Sequence, residues 1–377
     1  MKILHTVQRY FPDIGGSEEV VRQLSEYLVS SGHEVVVATS YSAARNFTEL
    51  NGVRVEQFRC SGNSVEGIRG EADRYRDFLR TIEADVMMNY AAQIWSTDLV
   101  FDLLPTLRMR KVIVPCGYSR LHDPLFSRYY QEMPEVLGKY DAVIYLSDNY
   151  IDAEFGRQHA LRNGLVIPNA ASEKEFSSLT PGTFRRRQGL GDELVVLNVS
   201  NHSTAKNHQF FWNAIRGLPR STVVPVLIGN AYRTFPRKWI HECYARCRFE
   251  AMRNRSLLLE FLPRTEVVEA YIDADIFLFG SKVECSPLVM FESFASRTLF
   301  VTTKCGNVKD YEDVVCIVKD EGEARQIIED FRKNRDKYGD RIEKGYRLFL
   351  EHLHWKAIAK EYETLYRRIT TQSGRNS

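Results

Sequence analysis

Short apolar, β-branched runs recur along the whole chain, separated by polar turns and by stretches with helical periodicity. In the first half they fall at Lys2–Val7, Glu34–Thr39, Val53–Arg59, Asp85–Asn89, Val112–Val114, Ala142–Leu146 and Gly164–Ile167. Each has the length and composition of a strand. The clearest helix between them is Ser17–Ser31, where Val20, Leu24, Tyr27 and Leu28 share one stripe and Gly32 supplies a stop. The alternation resumes at Leu194–Val199, Val223–Gly229, Ser256–Leu262, Ile276–Gly280, Leu299–Thr303 and Val315–Val318. Between the halves lies a polar stretch, Ser177 to Gly182, followed by Arg185-Arg-Arg187 and Gly189-Leu-Gly191. The pattern predicts an α/β chain of two Rossmann-like, doubly wound domains with a linker over 177–192. Two such domains facing each other would hold a ligand in a cleft at the carboxyl ends of their strands.

Composition changes this picture little. The chain has 377 residues, 44% hydrophobic and 27% charged, which suits a globular protein of two domains. A formal net charge of +2 gives no reason to expect a nucleic-acid partner. Seven cysteines in no regular framework read as reduced thiols. Cys243 and Cys247 stand one helical turn apart, but no second Cys or His pair follows them at zinc-finger spacing. The first residues are too short an apolar run for a signal peptide, and no run of 18 apolar residues exists to span a membrane. A cytoplasmic location is expected, with contact at the inner face of the membrane left open.

Candidate chemistry concentrates in loops that follow strands. Glu284 and Glu292 bracket Ser281-Lys-Val-Glu284-Cys-Ser286-Pro287-Leu288, directly after the strand Ile276–Gly280. Pro287 is expected as the first helical residue with Ser286 as its N-cap. A helix start there would offer backbone N–H groups to a phosphate, with one carboxylate on either side to grip hydroxyls. That arrangement suits a sugar nucleotide. After the first strand, Gly15-Gly16 precede Glu18 and Glu19, whose charges would repel a diphosphate. Past the strand Leu194–Val199, Lys206 can reach a diphosphate as a point charge. His202 and His208 flank it without Cys or carboxylate partners at metal-ligand spacing, so neither is expected to hold a metal. Asp273 and Asp275 sit at the wrong end of a strand for a metal-diphosphate site and are expected to be structural. A basic stretch over 233–255, with Arg237, Lys238, Arg246, Arg248, Arg253 and Arg255 among Trp239, Tyr244 and Phe249, could lie on an anionic surface but reads better as a helix packed on the sheet.

Taken together and in order, these segments resemble the retaining glycosyltransferases of the GT-B fold, family 4 type. Tyr10 to Glu18 is similar to that family's first glycine loop, and Val166-Ile-Pro-Asn169 resembles its Ile-Pro-Asn segment. Ser200 to Lys206 resembles its phosphate-clamp loop, Tyr271 to Ser281 its Tyr-x-x-Ala-Asp strand entry, and Glu284 to Glu292 its paired glutamates. His354 to Tyr362 resembles the closing helix that crosses back to the first domain. The resemblance implies an acceptor-side domain over 1–176, a nucleotide-sugar domain over 193–354 and a returning helix over 355–377. It implies that Glu292 binds ribose, Glu284 the transferred sugar, and Ser286, Pro287 and Leu288 the distal phosphate. Lys206 would neutralise the departing diphosphate, Gly15, Gly16 and Asn201 would border the donor, and Cys116 and His202 would contact sugar or acceptor.

The implied reaction moves a sugar from a nucleoside diphosphate, UDP above all, to a hydroxyl of a lipid-linked sugar or a small molecule. It needs no cofactor or metal. Two positions depart from the family pattern: Asn201 stands where an arginine is usual, and Cys116 where a histidine is usual. A guanidinium and an imidazole are stronger donors than an amide and a thiol. A binding-only relative therefore stays open, with His202 as a compensating group in an active enzyme, and a GT-B sugar-nucleotide epimerase is a third reading.

Overall fold

A computed structural model of the chain describes residues 1–178, 180–231, 238–254 and 256–371. The chain forms two compact units, one of Met1–Asn169 with Trp355–Ser377, the other of Ala170–His354. In the first, eight strands form one sheet in the order Gly164–Val166, Ala142–Tyr145, Arg110–Val114, Val86–Tyr90, Lys2–Thr6, Glu34–Ser40, Val53–Phe58 and Glu49–Leu50. All pairings are parallel except the last, a short antiparallel return. Val86–Tyr90 is buried at every residue, as a central strand covered on both faces requires. The seven expected strands are present, each within two residues of its expected ends.

The second unit is a six-stranded, all-parallel sheet: Leu257–Leu259, Val223–Ile228, Leu194–Val199, Ile276–Phe279, Leu299–Thr303 and Cys316–Val318. Numbered along the chain this order is 3-2-1-4-5-6, the doubly wound arrangement. Its direction reverses between Leu194–Val199 and Ile276–Phe279. The loops leaving those two strands therefore diverge to opposite faces and leave a crevice between them.

The expected linker is not a linker. Residues 177–192 belong to the second unit, and Thr183–Gln188 is a helix that buries Phe184. Asp273 holds the start of that helix, its Oδ1 accepting from Gly182 N at 2.5 Å and its Oδ2 from Arg185 N at 3.0 Å. Gly182 and Gly189, which suggested a boundary, are the helix caps. Asp275 accepts from Val195 N and pairs with Arg185 and Arg335, so both aspartates are taken up by structural contacts.

Within the basic stretch, Arg233, Arg237 and Arg255 lie outside the described residues. Lys238–Asn254 is a helix that buries Cys247, Glu250 and Ala251 and exposes Arg246, Arg248 and Phe249. The closing helix, Trp355–Thr371, buries Trp355, Ile358, Tyr362, Leu365 and Tyr366 in the first unit. Among the described residues no helix is long and apolar enough to cross a membrane.

Candidate functional site

The loops at the reversal point of the second sheet carry Lys206 and Glu284. Lys206 Nζ lies 2.6 Å from Glu284 Oε1, and Ser281 Oγ donates to the same oxygen at 2.8 Å. The loops are also tied through backbone: Lys282 N donates to Ala205 O at 2.8 Å. Asn207 adopts left-handed backbone at the head of the helix His208–Ile215, and its Nδ2 donates to Gly280 O at 3.0 Å. A lysine and a carboxylate 78 residues apart are thus held as one unit by contacts on both sides.

The helix after Glu284 starts at Leu288, with Pro287 as N-cap. The boundary is one residue later than expected, because Pro287 takes extended backbone (ψ 121°) rather than helical. Ser286 is not the cap; its Oγ accepts from buried Asn307 Nδ2 at 3.2 Å. Glu292, buried, faces Arg264, whose Nη2 donates to Oε1 at 2.5 Å and also to Glu175 at 2.8 Å. Gly306 closes the back of the loop. It has φ +59°, and a Cβ there would stand 2.9 Å from Cys285 O and 3.2 Å from Glu284 Cβ and Pro287 Cδ. Sequence reasoning missed Arg264, Asn307 and Gly306. Of these only Gly306, following Cys305 beyond a strand, carried a signal, as a glycine in a strand-to-helix loop.

Asn201 and His202 lie in the loop of Lys206 but serve it differently than expected. Asn201 Oδ1 accepts from Asn230 N at 3.2 Å, bracing a neighbouring strand end. His202 is only 3% exposed and packs edge-on against His208 and Tyr244, so it is not placed as a substitute for the missing arginine. Nor do the two histidines lack cysteine partners. Cys243 Sγ lies 3.6 Å from His202 Nδ1 and 3.4 Å from His208 Nδ1, and Cys247 joins the same cluster. Sequence spacing hid this because the cysteines arrive on a helix more than thirty residues later.

In the first unit, Gly15 is the N-cap of the helix Gly16–Ser30, as the glycine pair suggested. The Glu18 carboxylate folds over Gly15 and is held by Arg9 at 2.8 Å. That helix end is therefore covered by the chain's own anion. Burial raises the Glu18 carboxyl above the ordinary carboxylate range, opposed by Arg9. Cys116, two residues past the strand Arg110–Val114, takes left-handed backbone (φ 60°), and Asp152 Oδ2 fixes the turn by accepting from Gly117 N at 2.9 Å. Ala91 and Gln93, past the neighbouring strand, are also left-handed, with φ of 72° and 63°. Strained non-glycine backbone of this kind gathers at binding loops, and no sequence pattern announces it.

Comparison with known proteins agrees with this geometry. Residues 182–348 match the family model described as Glycosyl transferases group 1. The chain is 20% identical, over 97% of its length and 82% of the other, to the phosphatidylinositol N-acetylglucosaminyltransferase GPI3 subunit of Saccharomyces cerevisiae. Its fold resembles the sucrose-phosphate synthase of Thermosynechococcus elongatus, with TM-score 0.82, 16% identity and coverage of 98% and 99% of the two chains. It resembles Anabaena HepE, solved in complex with UDP and glucose, with TM-score 0.77, 16% identity and coverage of 97% and 99%. WaaG, a glycosyltransferase of lipopolysaccharide biosynthesis, is similar at TM-score 0.70 and 14% identity, covering 95% and 98%. Two doubly wound sheets, a Lys–Glu pair at the reversal point of the second, and a family match over the domain that holds it lead to one conclusion: the chain has the GT-B fold, and its second unit carries a glycosyl transferases group 1 domain.

Proposed function

We propose that the chain transfers a glycosyl residue from a UDP-sugar to a hydroxyl of a glycolipid or polysaccharide intermediate, with retention of configuration and without a metal at the diphosphate. The observation that carries this reading is the Lys206–Glu284 pair, 2.6 Å apart between the two reversal-point loops, with Glu292 in the second turn of the helix that follows. Glu284 accepts hydrogen bonds from the sugar hydroxyls, and Glu292 from the ribose. As the bond from the anomeric carbon to the phosphate oxygen breaks, Lys206 Nζ neutralises the charge left on the diphosphate. The acceptor oxygen bonds to the same face of the anomeric carbon, and its proton passes to the departing phosphate. UDP is supported by its presence in the HepE complex, and a lipid-linked acceptor by the names of the GPI3 subunit and WaaG.

One observation favours a second reading, a relative that binds the donor without transferring it. Asn201 stands in the arginine position with its amide oxygen already engaged by Asn230, and His202 is buried away from that role. Titration with UDP, GDP and ADP, followed by mass spectrometry of UDP-sugar mixtures, separates the two. The transferase releases UDP slowly to water even without its acceptor, and its rate does not depend on added magnesium or manganese. Tight UDP binding with no turnover of any sugar nucleotide in the panel leaves only the binding protein. Preference for GDP or ADP overturns the choice of base.

A further inference from the structure

Beside the Lys206 loop, four side chains from two elements converge with the composition of a metal centre. His202, His208, Cys243 and Cys247 each present one ligand atom, and those atoms all lie within 4.8 Å of one another. Tetrahedral zinc, with bonds of about 2.3 Å to sulfur and about 2.0–2.1 Å to nitrogen, sets its sulfur and nitrogen ligands roughly 3.5 Å apart. The two measured sulfur–nitrogen separations are 3.4 and 3.6 Å. Cys-x-x-x-Cys on one helical turn is a spacing zinc sites use. His202, His208 and Cys247 are at most 3% exposed.

The surrounding hydrogen bonds orient lone pairs inward. Asn198 Nδ2 donates to Leu278 O at 2.8 Å, so its Oδ1 is the acceptor for Ser200 Oγ at 2.7 Å. The single Ser200 proton being used, Ser200 Oγ accepts from His208 Nε2 at 2.8 Å. His208 therefore keeps its proton on Nε2 and turns the Nδ1 lone pair toward Cys243, as second-shell partners of zinc-bound imidazoles do. Trp212 Nε1 donates to Cys247 Sγ at 3.2 Å, fixing the orientation of that sulfur. The remaining ring nitrogen of His202, Nε2, is buried with no hydrogen-bond partner among the described residues. One sulfur facing two imidazoles is a poor hydrogen-bond network and a good ligand set.

We propose that these four residues bind one zinc ion, which pins the Lys206 loop to the helix Lys238–Asn254. Four protein ligands leave no open position, so the role is structural. The ion orders the loop between its two histidines, and Lys206 lies inside that loop. The proposal does not rest on the transfer reaction, because its test reads metal rather than turnover.

The full chain, incubated with zinc and desalted, is expected to retain about one zinc per chain by mass spectrometry, as a closed four-ligand site should. Cys243→Ala with Cys247→Ala removes it. Cobalt(II) in its place gives intense thiolate-to-metal charge transfer and the visible bands of a tetrahedral ion. Should the double variant fail to fold, the cobalt spectrum of the native chain decides alone. Zinc washed out on desalting, cobalt bands without thiolate character, iron in place of zinc, or a metal content untouched by the double substitution would each overturn the site.

Discussion

In the proposed reaction Lys206 and Glu292 contribute at different stages, and single substitutions separate them. On that proposal Lys206 acts on charge that exists only as the diphosphate departs, so its loss belongs to turnover rather than donor binding. Lys206→Ala is expected to lower kcat by about 10²–10³ while changing the donor Kd much less, as for other preorganised charge contacts. Glu284 stays held by Ser281 Oγ in that variant, so the loop keeps a partner. Equal losses in kcat and affinity would instead make Lys206 a binding residue. Glu292 is a binding group by this argument. Glu292→Ala is expected to weaken UDP binding by about 1.5–3 kcal/mol, the range for hydrogen bonds to a charged group. Arg264 retains Glu175 at 2.8 Å, so no guanidinium is left stranded and thermal stability should hold. An unchanged Kd in a folded Glu292→Ala protein removes that residue from the donor site.

Elements position these residues, and the sheet order explains which ones meet. Strand runs such as Ile276–Phe279 were legible because a buried parallel strand is apolar on both faces, leaving an uninterrupted signal between polar turns. Caps were less so: Pro-Gly and Gly-x-Gly around Thr183–Gln188 read as a linker, since helix caps and domain boundaries use the same residues. The packing of Gly306 behind the Glu284 loop has a consequence at this scale. Gly306→Ala combines left-handed backbone with a Cβ pressed on Cys285 O, a strain of about 1–3 kcal/mol. The variant is expected to unfold at lower denaturant concentration and to bind UDP-sugar more weakly, because relief requires the Glu284–Pro287 loop to move. Calorimetry with and without donor checks both. Lost stability with intact donor affinity would show that the loop does not depend on Gly306.

At the scale of the molecule, the first unit is completed by the last helix of the chain. His5, fully buried on the first strand, meets Ser25 Oγ at 2.9 Å and Tyr366 OH at 3.3 Å. His33 meets Glu363 at 3.1 Å. Burial lowers the His5 imidazole to about 3, so it stays neutral in the folded state while the unfolded chain takes up a proton near the ordinary histidine value. A folded pKa depressed below the unfolded one gives stability that is present above about pH 6.5 and is lost as pH falls toward 3, at about 1.4 kcal/mol per pH unit. At pH 5 that amounts to about 2 kcal/mol from this group. His5→Gln is expected to flatten the acid limb of a Tm-against-pH curve between pH 6.5 and 4. An unchanged slope would locate the acid sensitivity elsewhere.

Periodicity alone determined the class of the chain, its thirteen principal strands and the loops that carry Lys206, Glu284 and Glu292, because a strand's burial and a helix's stripe are local consequences of residue order. Tertiary structure alone decided which side chains meet. Lys206 finds Glu284, Glu292 finds Arg264, and His202 and His208 find Cys243 and Cys247, across separations that no local pattern encodes. It also decided that Gly15 at the first helix lies under Glu18 and that the supposed linker is a packed helix. The physical reason is common to all of these. Parallel strands are joined by long crossovers, so neighbours in space at the strand ends are distant in sequence, and their pairing is a property of sheet order rather than of any segment.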